Sequence, residues 1–266
     1  MIPAAFQYHA PTTVGEATAL LARLGEEAKV LSGGQSLIPL MKLRLASPTH
    51  VVDINAIPGL SGIREADGVL RIGALTRESD LEESELIRTR YPLLHDTSKV
   101  IADPVVRNLA TIGGNLAHGD PANDHPATML ALGAEVVAVG PKGERRIAIG
   151  SFFTGPFATS LKPDEILVEI RIPQPAAKSG GACLELERQG GLDRRGIAPG
   201  IAIFLAVATE VYPSLGLRPR IGDLRPKGGS FDSAAPDDPW KARVDRPDRR
   251  SVRGLVLGLV GAAAAP

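Results

Sequence analysis

The order of strand and helix segments around the first Gly-Gly pair constrains the fold more than any other feature. Residues 28–31 are a short apolar run typical of a strand, Gly33-Gly34 follows closely, and residues 37–43 have a helix-like pattern. A second strand candidate at residues 50–54 closes the unit. Strand, glycine turn, helix and strand in this order form a βαβ pattern, in which the two strands pair in parallel. The sequence therefore predicts an α/β lobe near the start of the chain.

An amphipathic helix precedes this unit. Thr13 and Glu16 have the spacing of a capping box, and Gly25 is a typical C-terminal stop. The apolar residues between them recur at helical spacing and predict one buried face. These residues are Val14, Ala17, Leu20, Leu21 and Leu24.

The middle of the chain predicts a second lobe with a mainly antiparallel sheet. Strand candidates at 135–139 and 145–149 flank a Gly-Pro-Lys-Gly-Glu loop, which is typical of a hairpin. The other expected elements are strands at 69–72 and 165–172 and helices at 78–87, 93–101 and 126–132. The composition changes near residue 176, so we predict a domain boundary there. The fold class of residues 1–176 is therefore α+β, with one βαβ lobe and one mainly antiparallel lobe.

Charge and cysteine content exclude several classes of function. Lys+Arg and Asp+Glu both total 30, and a general nucleic-acid binder normally has a basic excess. One cysteine, Cys183, allows no internal disulfide and no iron–sulfur ligand set. With no export signal evident, we expect a cytoplasmic protein. The apolar tail at 254–265 is too short for a membrane span, so no transmembrane segment is expected.

Two glycine turns carry the chemistry that the pattern suggests. A Gly pair after a strand allows close backbone approach, and its N–H groups can bind a pyrophosphate. Residues 32–36 read Ser-Gly-Gly-Gln-Ser, and residues 111–115 read Thr-Ile-Gly-Gly-Asn. Each alone is more simply a turn that reverses the chain. Together they are suited to hold one extended anionic ligand such as a dinucleotide, although the GxGxxG fingerprint of NAD-binding domains is absent.

The polar segment at 118–125 has poor metal-ligand spacing, because Gly and Pro interrupt it and no helical His pair is present. Asp124 either caps the following helix or contacts a ribose or ribityl hydroxyl. The sequence contains no Ser/His/Asp nucleophile motif, P-loop or HExxH motif. We therefore predict no catalytic residue and no metal site in this chain.

Three segments together resemble a known family. They are residues 31–39, residues 101–104 and residues 107–127, supported by Met1-Ile2-Pro3 and by residues 8–11. In these segments the chain resembles the FAD-binding medium subunit of the molybdenum hydroxylases, most closely the aerobic carbon monoxide dehydrogenase branch. The resemblance covers roughly the first two thirds of the chain.

The resemblance implies a fold, a cofactor and partners. FAD is expected between the two lobes, and a smaller α+β domain is expected at residues 177–266. The implied FAD contacts are Leu31, Ser32, Gly33, Gly34, Gln35, Ser36, Leu37, Ile101, Ala102, Thr111, Ile112, Gly113, Gly114, Asn115 and Asp124. The implied partners are a molybdenum-cofactor large subunit, a [2Fe-2S] small subunit, and a quinone or other electron acceptor. The chain is not expected to be active alone.

The sequence departs from the family after Arg188. Relatives usually carry a basic residue and then Gly-Asp-aromatic-Ala-Thr, whereas residues 189–195 read Gln-Gly-Gly-Leu-Asp-Arg-Arg. Glu185 also stands where relatives tend to have Lys. A reading-frame disturbance and real divergence are both open explanations. Two alternative functions also stay open: the flavin subunit of a purine, aldehyde or aromatic hydroxylase, and a flavin-free scaffold of the same fold.

Overall fold

The first lobe is a small parallel sheet with two helices. The computed structural model of the chain describes residues 2–175 and the strand residues 181–186 and 203–208. The elements of the first lobe are β1 (Gln7–His9), α1 (Val14–Leu24), β2 (Ala28–Leu31), α2 (Leu37–Lys42) and β3 (His50–Asp53). The strand order is β1-β3-β2, and both strand pairs are parallel. The predicted βαβ unit is thus confirmed, while the sequence did not predict β1.

Helix α1 begins and ends where the sequence indicated. Thr13 accepts a hydrogen bond from the Glu16 backbone N–H, and Gly25 ends the helix with a positive φ of 60°. The Glu16 carboxylate accepts from the backbone of Thr12 instead of Thr13, so the predicted capping box is only half formed. Ala17 and Leu21 lie on the buried face of the helix. This face packs onto the first lobe's sheet and joins its core.

The second lobe is an antiparallel sheet covered by helices. Its strands are β4 (Ile63–Ala66), β5 (Val69–Gly73), β6 (Glu135–Gly140), β7 (Gly143–Ala148) and β10 (Ile166–Pro173). Their order is β4-β5-β10-β6-β7, and every neighbouring pair is antiparallel. A short antiparallel pair lies between β7 and β10 in the chain, formed by β8 (Phe153–Gly155) and β9 (Ala158–Thr159). The predicted hairpin and the antiparallel character of this lobe are confirmed.

Six helices lie between β5 and β6 in the chain. They are α3 (Glu78–Glu83), α4 (Glu85–Arg90), α5 (Pro92–Val100), α6 (Pro104–Arg107), α7 (Ile112–His118) and α8 (Asp124–Ala131). The single helix predicted at 78–87 is interrupted at Ser84, whose side chain caps α4 by accepting from the Ile87 N–H. The buried core of this lobe includes Leu70, Ile72, Leu81, Leu94, Leu116, Phe152 and Ile170.

Beyond residue 175, the structure describes one antiparallel strand pair. It joins β11 (Gly181–Leu186) to β12 (Ile203–Ala208). The predicted boundary near residue 176 and the divergent segment at 189–195 lie outside the described residues, and the division into domains stays a prediction. The α+β fold class with its two lobes is confirmed. Across the described ranges, no helix is both long and apolar enough to cross a membrane.

Candidate functional site

The two glycine turns, 79 residues apart in sequence, meet in the structure. The hydroxyl oxygens of Ser32 and Thr111 are 2.7 Å apart and share a hydrogen bond. A Cβ atom at Gly33 would lie 2.2 Å from the carbonyl oxygen of Leu109 and 2.9 Å from the Cα of Ala110. The backbones therefore approach so closely that Gly33 accommodates no side chain. The chain brings the two predicted ligand-binding turns together.

The first turn presents backbone donors that the protein does not use. It connects Leu31, the last residue of β2, to Leu37, the first residue of α2. Gly34 has a φ of 75°, a conformation that suits glycine. Within the described part of the chain, the N–H groups of Gly33, Gly34 and Gln35 donate to no protein acceptor. Successive free N–H groups in a turn are a typical binding site for an anion.

The second turn differs from the expectation, because Gly113 and Gly114 lie in the first turn of α7. The Ile112 N–H donates to Thr76 O, and the Gly113 N–H donates to Ala74 O. The Gly114 N–H donates to the hydroxyl of Thr111, which caps the helix. These three donors are therefore engaged within the protein.

Two groups at this second turn explain why its residue types are required. A Cβ at Gly113 would lie 2.5 Å from the Cβ of Ala74, so glycine permits the packing of α7 against the end of β5. The side-chain oxygen of Asn115 is buried and has no hydrogen-bond partner among the described residues. Buried polar groups are normally hydrogen-bonded, so this amide oxygen is a candidate ligand contact.

Asn55 and Arg77, which the sequence analysis missed, connect the two turns. The Asn55 side-chain amide donates to Ser32 O over 2.8 Å. Arg77 Nη2 donates to the Asn55 amide oxygen over 2.9 Å, and Arg77 Nη1 donates to Leu109 O. The Arg77 guanidinium thus bonds the backbone just before the second turn directly and the first turn through Asn55. A sequence signal existed, because Asn55 follows β3, and the carboxyl ends of parallel strands lie at the same edge of a sheet.

Asp53 supports this connection with a charge. Its carboxylate accepts from the Asn55 backbone over 2.8 Å and from the Tyr8 hydroxyl over 2.6 Å. Burial acts to raise the pKa of Asp53. The hydrogen bonds from Tyr8 and Asn55 and the positive charge of Arg77 outweigh burial, and the pKa lies below its usual value. The carboxylate is therefore ionised at neutral pH and orients the Asn55 amide.

Ile101 and Ala102 are held by Arg107, which belongs to neither glycine turn. Ala102 has a φ of 47°, in the left-handed region that is unfavourable for alanine. The carbonyl oxygens of both residues accept from Arg107 Nη1, each over 3.1 Å. Arg107 Nε in turn bonds the Glu82 carboxylate over 2.8 Å. The strained turn is thus held by α6 and α3, not by the glycine turns.

Asp124 directly follows Asn123, which is hydrogen-bonded to the second glycine turn. It is the first residue of α8. The N-cap residue of this helix is Asn123, so the prediction that Asp124 caps the helix is wrong. The Asn123 amide donates to Asn115 O over 3.0 Å, which ties the start of α8 to α7. The predicted contacts at 111–115 and at Asp124 are therefore neighbours.

The donor set at these turns suits a dinucleotide better than a metal ion. The N–H groups of the first turn, which have no acceptor among the described residues, match a pyrophosphate, and the Asn115 amide oxygen matches a donor group of a heterocycle or sugar. In the described ranges, no three His, Cys, Asp or Glu side chains form a group that could hold a metal ion.

Comparison with known proteins gives three consistent matches. A family model described as the FAD binding domain in molybdopterin dehydrogenase matches residues 4–175. The carbon monoxide dehydrogenase medium chain of Hydrogenophaga pseudoflava is 52% identical over 191 residues, 72% of this chain and 67% of that protein. The 6-hydroxypseudooxynicotine dehydrogenase complex subunit alpha of Paenarthrobacter nicotinovorans is 42% identical, over 72% of this chain and 64% of its own length.

A solved structure agrees with these sequence matches. It is a carbon monoxide dehydrogenase from Hydrogenophaga pseudoflava that lacks the Mo-pyranopterin moiety of the molybdenum cofactor. The two chains superpose with a TM-score of 0.70 at 53% identity, covering 72% of this chain and 67% of that chain.

Proposed function

The chain belongs to the family of FAD-binding domains in molybdopterin dehydrogenases, and on that premise we propose that it is the flavin subunit of an aerobic carbon monoxide dehydrogenase-type complex. FAD is its cofactor, and the chain is an oxidoreductase subunit. Its relatives are medium chains or subunits of multi-subunit complexes, so we expect no turnover from this chain alone.

One observation supports the flavin site above all others: the N–H groups of Gly33, Gly34 and Gln35, beside the second glycine turn, have no acceptor in the part of the chain that the structure describes. In this proposal these N–H groups bind the pyrophosphate of FAD. Asn115 contributes its unpaired amide oxygen as a hydrogen-bond acceptor.

The remaining assigned residues orient the cofactor. Bound FAD supplies a redox centre that can exchange electrons singly or in pairs, and the protein contributes binding and orientation. Asp124 accepts a hydrogen bond from a hydroxyl of the flavin's sugar chain. In this proposal Ile101 and Ala102 line the cleft, and Arg107 fixes their backbone because it donates to both carbonyl oxygens.

The partners follow from the type of complex. We assign the supply of electrons to a [2Fe-2S] small subunit, which receives them from a molybdenum-cofactor large subunit that oxidises the substrate. A quinone or another acceptor takes them from the flavin. The cytoplasmic location stays a prediction from the sequence, and fractionation of the native host tests it.

A different substrate is the principal alternative. The match to a subunit of a 6-hydroxypseudooxynicotine dehydrogenase complex shows that the family includes complexes with other substrates. Carbon monoxide is favoured here because identity to the carbon monoxide dehydrogenase medium chain is 52%, against 42% for the other relative. Assay of the chain assembled with its native partner subunits, with carbon monoxide and with N-heteroaromatic substrates, separates the two.

The first experiment is reconstitution of the purified full chain with FAD, followed by desalting and a visible absorption spectrum. Retained flavin absorbance at about one flavin per chain is the expected result. A folded chain that retains no flavin contradicts the proposal and favours the scaffold reading.

A further inference from the structure

The second lobe contains a buried glutamate–histidine pair that is bonded to two segments of the proposed flavin site. His125 Nε2 and Glu78 Oε2 are 2.7 Å apart, and both side chains are fully buried. Glutamate is almost never fully buried without a partner, so the pairing with His125 is what allows Glu78 to occupy this position. The two residues are 47 apart in sequence and belong to α3 and α8.

The backbone of Glu78 is attached to the second glycine turn. Its N–H donates to Ala110 O over 3.1 Å, one residue before Thr111. On the same segment, Arg77 forms an isolated antiparallel bridge with Thr111, and Thr76 O accepts from the Ile112 N–H. Residues 76–78 therefore pair with residues 110–112 as a short antiparallel strand would, and this pairing fixes the position of Thr111.

The side chain of Glu78 is attached to the start of α8. Through His125 it holds the residue that directly follows Asp124. Glu78 thus connects, by backbone and by side chain, two segments to which the flavin contacts are assigned. The same two segments are also joined directly, because the Asn123 amide donates to Asn115 O, and Glu78 adds a second connection from α3.

The pair is also incompletely satisfied. Glu78 Oε1 and His125 Nδ1 are buried and have no hydrogen-bond partner among the described residues. Apolar residues of similar volume often match or exceed the stability that a buried polar pair of this kind provides. The retention of two unsatisfied polar atoms therefore favours a role that depends on the specific hydrogen bond.

We propose that Glu78 and His125 are positioning residues for FAD, which keep the second glycine turn and Asp124 in register with each other. The inference rests on the proposed flavin function. It assigns no chemistry to the pair: neither residue needs to touch the cofactor.

The test compares this pair with a matched pair on the same helix. Thr128 lies one turn after His125 on α8, and its hydroxyl is 2.7 Å from that of Thr97, with both residues fully buried. Thr97 belongs to α5 and has no bond to the glycine turns. Thr128→Val therefore removes a buried hydrogen bond from α8 without touching the connection that we propose.

Two measurements are made on the full chain. The first is amide hydrogen exchange without FAD, followed in peptides that cover residues 108–118 and 120–130. The second is the FAD dissociation constant. We expect Glu78→Ala to accelerate exchange about tenfold in both peptides together and to weaken FAD binding about tenfold. Thr128→Val is expected to accelerate exchange in the second peptide alone and to change FAD affinity less than about twofold.

Three further variants guard against misfolding. His125→Ala removes the same bond from the other side, and the double variant with Glu78→Ala is expected to lose no more affinity than either single variant. Glu78→Gln retains a hydrogen bond to His125 and should restore FAD affinity to within about threefold of the wild type.

The outcomes separate this inference from the proposed function. A wild-type chain that binds no FAD contradicts the proposed function, whereas the exchange experiment still tests the connection. If Glu78→Ala and His125→Ala affect only one peptide, or weaken FAD binding no more than Thr128→Val does, the positioning role is wrong.

Discussion

The two glycine turns are alike in sequence and different in structure. In the first turn, Gly34 has a positive φ and the N–H groups at residues 33–35 donate to no acceptor in the described part of the chain. In the second turn, Gly113 and Gly114 begin a helix, and their N–H groups are bonded to Ala74 and Thr111. Both Gly-Gly pairs therefore permit close packing, but only the first leaves its N–H groups without an acceptor in the described part of the chain.

This difference shows what a glycine pair does and does not indicate. Glycine marks a place where the backbone comes close to something, but the partner is either a ligand or another part of the protein. At Gly33 that neighbour is the backbone of residues 109–110, and at Gly113 it is Ala74. The four predictions below test how FAD binding and the stability of the fold depend on each turn.

The largest effect is expected from Gly33→Ala. The added methyl group would overlap Leu109 O, so the two turns must separate. We expect the free energy of unfolding to fall by about 3 kcal/mol and the chain to retain no FAD after desalting. Gly15→Ala, in α1 with nothing within 4 Å of the added carbon, is the control and should be neutral or stabilising. Normal FAD retention by folded Gly33→Ala would contradict the close approach of the turns.

Thr111→Val tests the structural role of the second turn. It removes the cap of α7 and the bond to Ser32, so we expect a loss of about 2 kcal/mol in unfolding free energy. Thr13→Val removes a cap of the same length, 3.1 Å, from α1 and should lose about 1 kcal/mol. Chemical denaturation without FAD measures both. Equal losses in the two variants would mean that the contact between the turns adds no stability.

Asn115→Ala separates ligand binding from stability at the second turn. Because the amide oxygen has no partner among the described residues, its removal should change the free energy of unfolding by less than about 0.5 kcal/mol. FAD affinity should weaken about tenfold. Titration of FAD fluorescence measures the affinity, with exposed Asn108→Ala as the control. An unchanged affinity would leave the second turn with packing alone.

The smallest expected effect is on the stability of the fold at acid pH. The pKa of Asp53 is lowered in the folded chain, so its carboxylate stabilises the fold above the unfolded pKa of about 3.9. This stabilisation is lost as the pH falls through the folded pKa. Thermal unfolding from about pH 6 to pH 2 should therefore show a smaller acid loss for Asp53→Asn than for the wild type. Asp67→Asn, in an exposed turn, is the control. Parallel curves for Asp53→Asn and the wild type would exclude this role.

Local patterns in the sequence predicted much of the fold. The run at residues 28–31, the hairpin around residues 140–144 and the helix that ends at Gly25 all have short-range signals, and each is present. Strand β1 was missed because three residues with mixed polarity give no periodicity to detect. The break at Ser84 was missed because its capping role competes with a continuous helical pattern.

Sequence patterns likewise predicted one part of the candidate site and missed another. Residues 32–36 and 111–115 were predicted as ligand-binding turns from their composition, and the structure brings them into contact, although their contact with FAD stays a prediction. Asn55, Arg77 and Glu78 were missed, because each acts through a partner that is distant along the chain. For Arg77 and Glu78 no local pattern carries that information, and for Asn55 the one signal is its place after β3.

The sequence by itself determined many of the secondary structure units, the parallel pairing of the βαβ unit and the resemblance to the flavin family, since these depend on neighbouring residues and on motifs. Only the tertiary structure decided which N–H groups are free. That outcome depends on which acceptors other elements bring within hydrogen-bonding distance, as Ala74 and Thr76 do for α7 and as no described residue does for Gly33 and Gly34.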